Sequence, residues 1–301
     1  MNAEISPQIA AYLAHIAQNK QFSPHTIEAY RRDLQRAQVF FGISQTTLAW
    51  DDIAPDQVRV YVMRLSQQGR NGRSIARALS ALRSFYRYLM RHGEAKRNPA
   101  VGVPAPKSPR RLPEVLDVDR AARLVGMAGD AWMTVRDRAI LELLYSSGLR
   151  LAELVGMDVQ ALNRDEGTVR VLGKGRKERV VPVGRLAWEA LDAWLSVRAT
   201  HVPVTEGALF VTRQGGRLRA RAIQLRVAHW GRTQGLSVGV YPHMLRHSCA
   251  SHVLESSGDL RAVQELLGHA HLTTTQIYTH LDYQHLAKVY DLAHPRAKRG
   301  K

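Results

Sequence analysis

The chain reads as mainly α with a small β-sheet. It divides into two lobes, a four-helix bundle over residues 1–97 and a mixed α/β domain over residues 114–301, joined by a basic linker at 98–113. Three observations predict this. Ser6-Pro7, Ser23-Pro24 and Pro55 are helix-start signals, each followed by apolar residues at helical spacing. Pro99, Pro104, Pro106, Pro109 and Pro113 crowd into one segment that cannot be helical and is expected to be extended and semi-rigid. Further on, two β-type runs, Thr168 to Leu172 and Arg179 to Val183, flank the turn GKGRKE.

In order, the first helix carries Ile9, Tyr12, Leu13 and Ile16. The second carries Ile27, Tyr30, Leu34, Ala37 and Phe41 and is closed by Gly42, and the third carries Val58, Tyr61, Val62 and Leu65. A fourth helix spans about Arg73 to Arg91. At roughly 100° per residue, Arg73, Arg77, Ser80, Ser84, Arg87 and Arg91 fall on one stripe, opposite Ile75, Leu79, Leu82, Tyr86 and Leu89. Between residues 59 and 97 the only acidic residue is Glu94, against ten lysines and arginines. A merely solvated helix face mixes signs, so Arg73, Arg77, Arg87 and Arg91 are candidate DNA-binding residues. A basic tether with Lys107, Arg110 and Arg111 between two lobes suits a clamp around a duplex. After it, Val118 to Met127 and Val135 to Ser147 read as helices, Gly148 as a stop, and Arg150 as the start of a further helix. The hairpin follows, then helices carrying Trp188, Leu191 and Leu195 and carrying Ile223, Leu225 and Val227.

At 301 residues there is length for two separate cores, and the formal net charge of +17 calls for a polyanionic partner. There is no long apolar segment, and the N-terminal MNAEISPQIA lacks the basic and apolar blocks of a signal peptide, so a cytoplasmic location on DNA is expected. Cys249 is the only cysteine, which excludes an intrachain disulfide and a cysteine-cluster metal site.

Phosphate-binding groups and a candidate nucleophile meet in the stretch from Tyr241 to Tyr278. Pro242 suits a first helical turn, and His243 and Arg246 project from one face of that helix. A second helix follows Gly258-Asp259, with Leu260, Val263, Leu266 and Leu267 as its buried side and Gly268 as its stop, just before His269. Thr273 and Gln276 have capping-box spacing for a short helix that holds Tyr278 near its beginning. His243, Arg246, His269 and Tyr278 can therefore converge on one anion. His243 and His247 have the i, i+4 spacing of a shared metal, but no Glu or Asp lies nearby to complete a catalytic zinc site.

HMLRH, LLGHAHLTTTQIY and the GLR ending at Arg150 resemble the tyrosine recombinase (phage-integrase) superfamily. ESSGDLRAVQELLGH and the tail THLDYQHLAKVYDLAHPRAKR are similar to its bacterial chromosome-dimer resolvases, and the resemblance covers nearly the whole chain. Cys249, where the family usually has an aromatic residue, and His271, where Asn is common, depart from the pattern and bear on packing rather than chemistry.

The resemblance implies an N-terminal core-binding domain and a C-terminal catalytic domain. Arg150 and Arg246 would clamp the scissile phosphate, His243 and His269 would bond its oxygens, and Tyr278 would attack it, leaving a 3′-phosphotyrosine and a free 5′ hydroxyl. His243 would also share in proton transfer with the nucleophile. With a pKa near 10, a tyrosine needs cationic surroundings to attack as phenolate, which the arginines supply. Tyr283 and Tyr290, on the following helix, read instead as packing residues. Lys174 and Lys177 both sit at the hairpin tip, and the family's GKG pattern points to Lys174 as general acid. No metal or other cofactor is expected, since arginines and histidines carry the charge work, and no ATP, since the phosphoester bond is kept.

A heterotetramer with a XerD-like partner recombinase, control by a septal DNA translocase and resolution of chromosome dimers before division also follow from the resemblance. The tail's Leu286, Val289 and Leu292 have helical spacing and are expected to dock on a neighbouring subunit. The alternatives are a phage or plasmid integrase with the same chemistry, and a sequence-specific DNA-binding regulator without activity. An RNA-binding protein is disfavoured by the absence of RNA-module signatures.

Overall fold

The computed structural model describes residues 4–18, 22–43, 49–106, 114–173, 178–202, 206–237, 239–268 and 289–297. The chain divides into two compact units, Met1–Arg111 and Leu112–Lys301.

In the first unit, α1 (Pro7–Gln18), α2 (Pro24–Phe41), α3 (Pro55–Gln67) and α4 (Gly72–Arg91) form the bundle that the periodicity predicts. Ser23 caps α2 by accepting the Thr26 N–H at 3.1 Å, and Gly42 ends it with φ 71°. Asn71 caps α4, accepting the Ser74 N–H at 2.8 Å, which starts the helix at Gly72. The core takes Ile9, Tyr12, Leu34, Val58, Tyr61, Ile75, Leu79, Leu82, Tyr86 and Leu89 from the expected faces. It also takes Phe85 and Trp50, whose rings meet edge to face at 4.9 Å.

The segment after α4 differs from a free tether. Ala100 and Val103 are buried in the first unit's core, and Arg83 donates to their carbonyl oxygens at 3.0 and 2.6 Å. The small apolar residues between the prolines give this stretch a face to bury, and Arg83 satisfies the carbonyls that a proline-rich chain cannot pair within itself.

The second unit is built on α6 (Trp132–Ser146), which is buried along almost its whole length. Around it lie α5 (Val118–Val125), α8 (Arg185–Ala199), α9 (Ala220–Thr233) and α10 (Pro242–Ser257). The short α7 (Leu151–Val155) follows α6, and α11 (Leu260–Leu267) follows α10. Strands β1 (Leu162–Asn163), β2 (Thr168–Leu172) and β3 (Glu178–Pro182) form an antiparallel sheet in sequence order, with Leu162 opposite Val169 and Val169 opposite Val181. Val169, Val171 and Val181 face the core while Leu172 and Val180 face solvent, the period-two alternation of a half-buried sheet. At two residues, β1 is too short to show that alternation in sequence.

One apolar expectation is corrected. Leu260 on α11 is exposed, because Val263, Leu266 and Leu267 already fill the inward face of the helix; on α9, Ile223 and Val227 are buried and Leu225 is exposed. The tail is corrected in part. Residues 289–293 are helical, and Tyr290, Ala293, His294 and Ala297 are buried in the unit's own core. Tyr290 donates to the Ser146 carbonyl oxygen at 3.0 Å, and Arg296 forks onto the buried Glu142. Val289 also packs on that core, whereas Leu292 is 79% exposed; Leu286 lies outside the described residues. Among the described residues, no helix is long and apolar enough to cross a membrane.

Candidate active site

The site is assembled where three chain reversals meet. The first is Gly148, at φ 55° after α6; a Cβ there would lie 3.3 Å from both Cys249 Sγ and Leu267 Cδ2, so the bend favours glycine. Leu149 then turns inward and Arg150 becomes the cap of α7. The Arg150 backbone N–H donates to Glu153 Oε2 at 2.8 Å and its Nη1 to Glu153 Oε1 at 2.9 Å, so the carboxylate fixes the arginine at both ends. The second reversal is the extended Tyr241 before Pro242, which opens α10 and sets Arg246 one turn into it. The third is Gly268, at φ 59°, which closes α11 after Asp259 has capped its start by accepting the Ala262 N–H at 2.9 Å.

Hydrogen bonds tie these reversals together. Arg246, buried to 6% exposure, donates to the carbonyl oxygens of Gly148 and Leu267. Arg150 Nη2 reaches the Gly268 carbonyl oxygen at 3.3 Å. The two guanidinium groups are thus held side by side on consecutive carbonyls at the C-terminal end of α11, where unpaired helix acceptors favour cations. Burial, and next the Arg150 charge, lower the Arg246 pKa to about 10, which leaves it protonated at neutral pH. Arg150 is more open, with 37% of its side chain exposed, and presents the accessible cation.

His243 lies one turn before Arg246, on the solvent side of α10. Partial desolvation, followed by the charges of Arg246, His247 and Arg150, lowers its pKa below the ordinary value of 6.5. A neutral imidazole at pH 7 can both accept and donate a proton. Lys174, His269 and Tyr278 lie outside the described residues, as do Lys177, His271 and Tyr283. His269 is the residue after Gly268. Cys249 is fully buried against the Gly148 bend, and burial pushes its thiol up to about 12, so it fills space. Among the described residues there is no group of three or more His, Cys, Asp or Glu side chains able to hold a metal.

Two site residues had been missed in the sequence. Glu153 is buried beside Arg150, and Arg179 on β3 forks onto it with contacts of 2.6 and 2.9 Å. Burial pushes the Glu153 carboxyl up, but the bonds from Arg179 and Arg150 outweigh it and hold the pKa below its ordinary value. The signals were present: Glu153 stands at the third position of the helix that Arg150 opens, and Arg179 is in phase with inward-facing Val181.

On the first unit's helix α4, Arg73, Arg87 and Arg91 are exposed and make no ion pair among the described residues. Arg77 differs. Its Nε and Nη2 lie 2.8 and 3.3 Å from the carboxylate of Asp33, a side chain only 1% exposed. Arg77 therefore neutralises a buried acid as well as lying on the basic stripe.

Family models decide the class to which this site belongs. That of the phage integrase family matches residues 114–285, and that of the phage integrase N-terminal SAM-like domain matches residues 9–93. The chain belongs to the phage integrase family. The recombinase is 55% identical over 295 residues to the tyrosine recombinase XerC of Pseudomonas entomophila (strain L48), covering 98% of each chain. It is a XerC-like, site-specific DNA strand-transferase. Its fold matches that of a lambda integrase dimer bound to a COC′ core site, with a TM-score of 0.69 at 17% identity over 90% of this chain and 98% of that one. It also matches the XerH recombinase in a post-cleavage complex with palindromic difH, with a TM-score of 0.68 at 21% identity over 97% and 91% of the two chains.

Proposed function

We propose that the recombinase exchanges DNA strands at a specific chromosomal site through a 3′-phosphotyrosine on Tyr278, and so resolves chromosome dimers before cell division. The observation that carries the chemistry is the pairing of Arg150 and Arg246 on the adjacent carbonyls of Leu267 and Gly268. A phosphodiester repels nucleophiles because it is anionic, and two fixed cations on its non-bridging oxygens offset that charge as it builds in the transition state. They need no reorganisation at the moment of reaction, because protein carbonyls already hold them.

In this reading the Tyr278 phenol gives up its proton with the help of His243, and the phenolate oxygen bonds to phosphorus. The bond from phosphorus to the 5′ oxygen breaks, and Lys174 gives that oxygen a proton. His269 donates to a non-bridging oxygen beside Arg150. The reverse attack by the 5′ hydroxyl of another strand regenerates the tyrosine and joins the DNA. No metal or nucleotide takes part in these steps. Arg73, Arg77, Arg87 and Arg91, in a core-binding domain over residues 1–97, contact the phosphates that flank the site. A XerD-like partner completes a heterotetramer, a septal DNA translocase controls it, and exposed Leu292 in the tail docks on a neighbouring subunit. All of this takes place in the cytoplasm. The 55% identity to the tyrosine recombinase XerC of Pseudomonas entomophila supports the XerC-type assignment.

The test is recombination of plasmids with two copies of the chromosomal terminus site, or of a phage attachment site, in the presence of the XerD-like partner. Recombination only at the terminus site is expected. Recombination only at the attachment site would make the protein an integrase, and DNA binding with no strand cleavage at either would make it a regulator.

A further inference from the structure

Arg179 has no part in the reaction as written, yet it is a buried cation that shares the carboxylate of Glu153 with Arg150. Its side chain is 7% exposed and both Nη atoms are engaged by Glu153, so it cannot itself reach a DNA phosphate. Glu153 in turn accepts four bonds. Oε1 takes Arg150 Nη1 at 2.9 Å and Arg179 Nη1 at 2.6 Å, while Oε2 takes the Arg150 backbone N–H at 2.8 Å and Arg179 Nη2 at 2.9 Å.

The charge count of this cluster is informative. Arg150 with Glu153 alone is a neutral pair, and an incoming phosphate would meet a carboxylate bound to its own ligand. With Arg179 the cluster holds two positive charges and one negative, and its surplus resides on Arg150, the member with an exposed side chain. Arg179 also presses on the backbone that precedes His269. A Cβ built on Gly268 would lie 3.0 Å from its Cδ and Nε, and that Nε finds no acceptor among the described residues.

We propose that Arg179 is a positioning residue for recombination, neutralising Glu153 so that Arg150 keeps its positive charge for the scissile phosphate. This rests on the assignment of Arg150 to that phosphate. It explains why a catalytic arginine can be braced by a carboxylate, which fixes its geometry, without losing the charge for which it is used. A salt bridge that served stability alone would place no such demand on the third member.

The test is single-turnover formation of the protein–DNA adduct on a nicked duplex that traps the covalent intermediate. Wild type, Arg179→Met, Arg179→Lys, Glu153→Gln and the double variant Glu153→Gln/Arg179→Met are compared, with thermal unfolding of each. Arg179→Met is expected to bind DNA normally and to form adduct about 100-fold more slowly, the scale of losing one preorganised cationic contact. Arg179→Lys, which keeps the charge but not the fork, should stay within about 10-fold of wild type. The double variant, in which no carboxylate is left to neutralise, should recover at least about 10-fold over Arg179→Met. A double variant no faster than Arg179→Met would overturn the proposal and leave Arg179 as a structural brace. If Arg179→Met shows no cooperative unfolding, the double variant is judged against Glu153→Gln: a rate within about 10-fold supports the proposal and a larger loss overturns it. Wild type that forms no adduct dependent on Tyr278 would instead refute the assignment of the chemistry.

Discussion

Replacing Gly268 by Ala tests how the end of α11 sets the active site, and Gly258→Ala supplies a control within the same structure. Both glycines end helices in the left-handed region, at φ 59° and 66°. Each substitution therefore carries the backbone cost of about 1–2 kcal/mol for a residue with a Cβ. They differ in what the new methyl group meets: nothing lies within 4 Å at Gly258, whereas at Gly268 the Cδ and Nε of Arg179 lie at 3.0 Å and its Cζ at 3.2 Å. Arg179 cannot swing aside freely, because Glu153 holds its far end. Overpacking of this kind adds roughly 1–3 kcal/mol. Gly258→Ala should therefore lose about 1–2 kcal/mol and cleave normally, and Gly268→Ala should lose about 2–5 kcal/mol. Because Arg150 and Arg246 bond to the carbonyls on either side of that bend, a shift approaching 1 Å should also slow cleavage up to about 100-fold. Urea unfolding and single-turnover adduct formation measure the two effects. Equal losses of stability, with cleavage unaffected in both variants, would refute the reasoning.

Arg77→Ala should weaken DNA binding and also destabilise the first unit by about 1.5–3 kcal/mol, since it strips a charged partner from buried Asp33, while exposed Arg73→Ala should lower only affinity and its salt dependence; thermal melts and salt-titrated binding separate the two. Leu292→Glu should leave the melting temperature within about 1 °C, because the side chain is 79% exposed, yet impair synapsis of two sites in a gel-shift assay. Deleting residues 284–301 is expected to be less clean, since it also removes buried Tyr290, Ala293 and His294 and should lower stability. Lys174→Ala should cleave ordinary DNA slowly and recover on a substrate whose bridging 5′ oxygen is replaced by sulfur, which leaves without a proton. A variant that stays slow on sulfur would make Lys174 a phosphate ligand.

The fold was legible where a single periodicity decided the structure. The N-terminal bundle, the β2–β3 hairpin, and the stops at Gly42, Gly148 and Gly268 all follow from local signals. Leu260 was misread because an apolar residue inside a helical run looks buried until its turn is counted against neighbours that already fill the face. The packing of Ala100 and Val103 was illegible for another reason: proline argues against helix but does not decide whether an irregular chain lies free or adheres. At the site, residue types and motif spacing pointed to Arg150, His243 and Arg246. The carbonyl ligands of Arg246 and the Glu153–Arg179 pair depend on contacts between residues far apart in sequence, such as Arg246 with Gly148 and Arg179 with Glu153, which no local spacing encodes.

The central claim is that the arginine pair serves one covalent reaction at one tyrosine, and mapping the DNA-linked peptide tests it most directly. After trapping on a nicked duplex and digestion with trypsin, the account predicts one modified peptide, with a 3′-phosphoryl nucleotide on Tyr278 and a free 5′ hydroxyl on the released strand. A link to any other residue, a 5′-phosphoryl link, or an adduct that persists in Tyr278→Phe would contradict it.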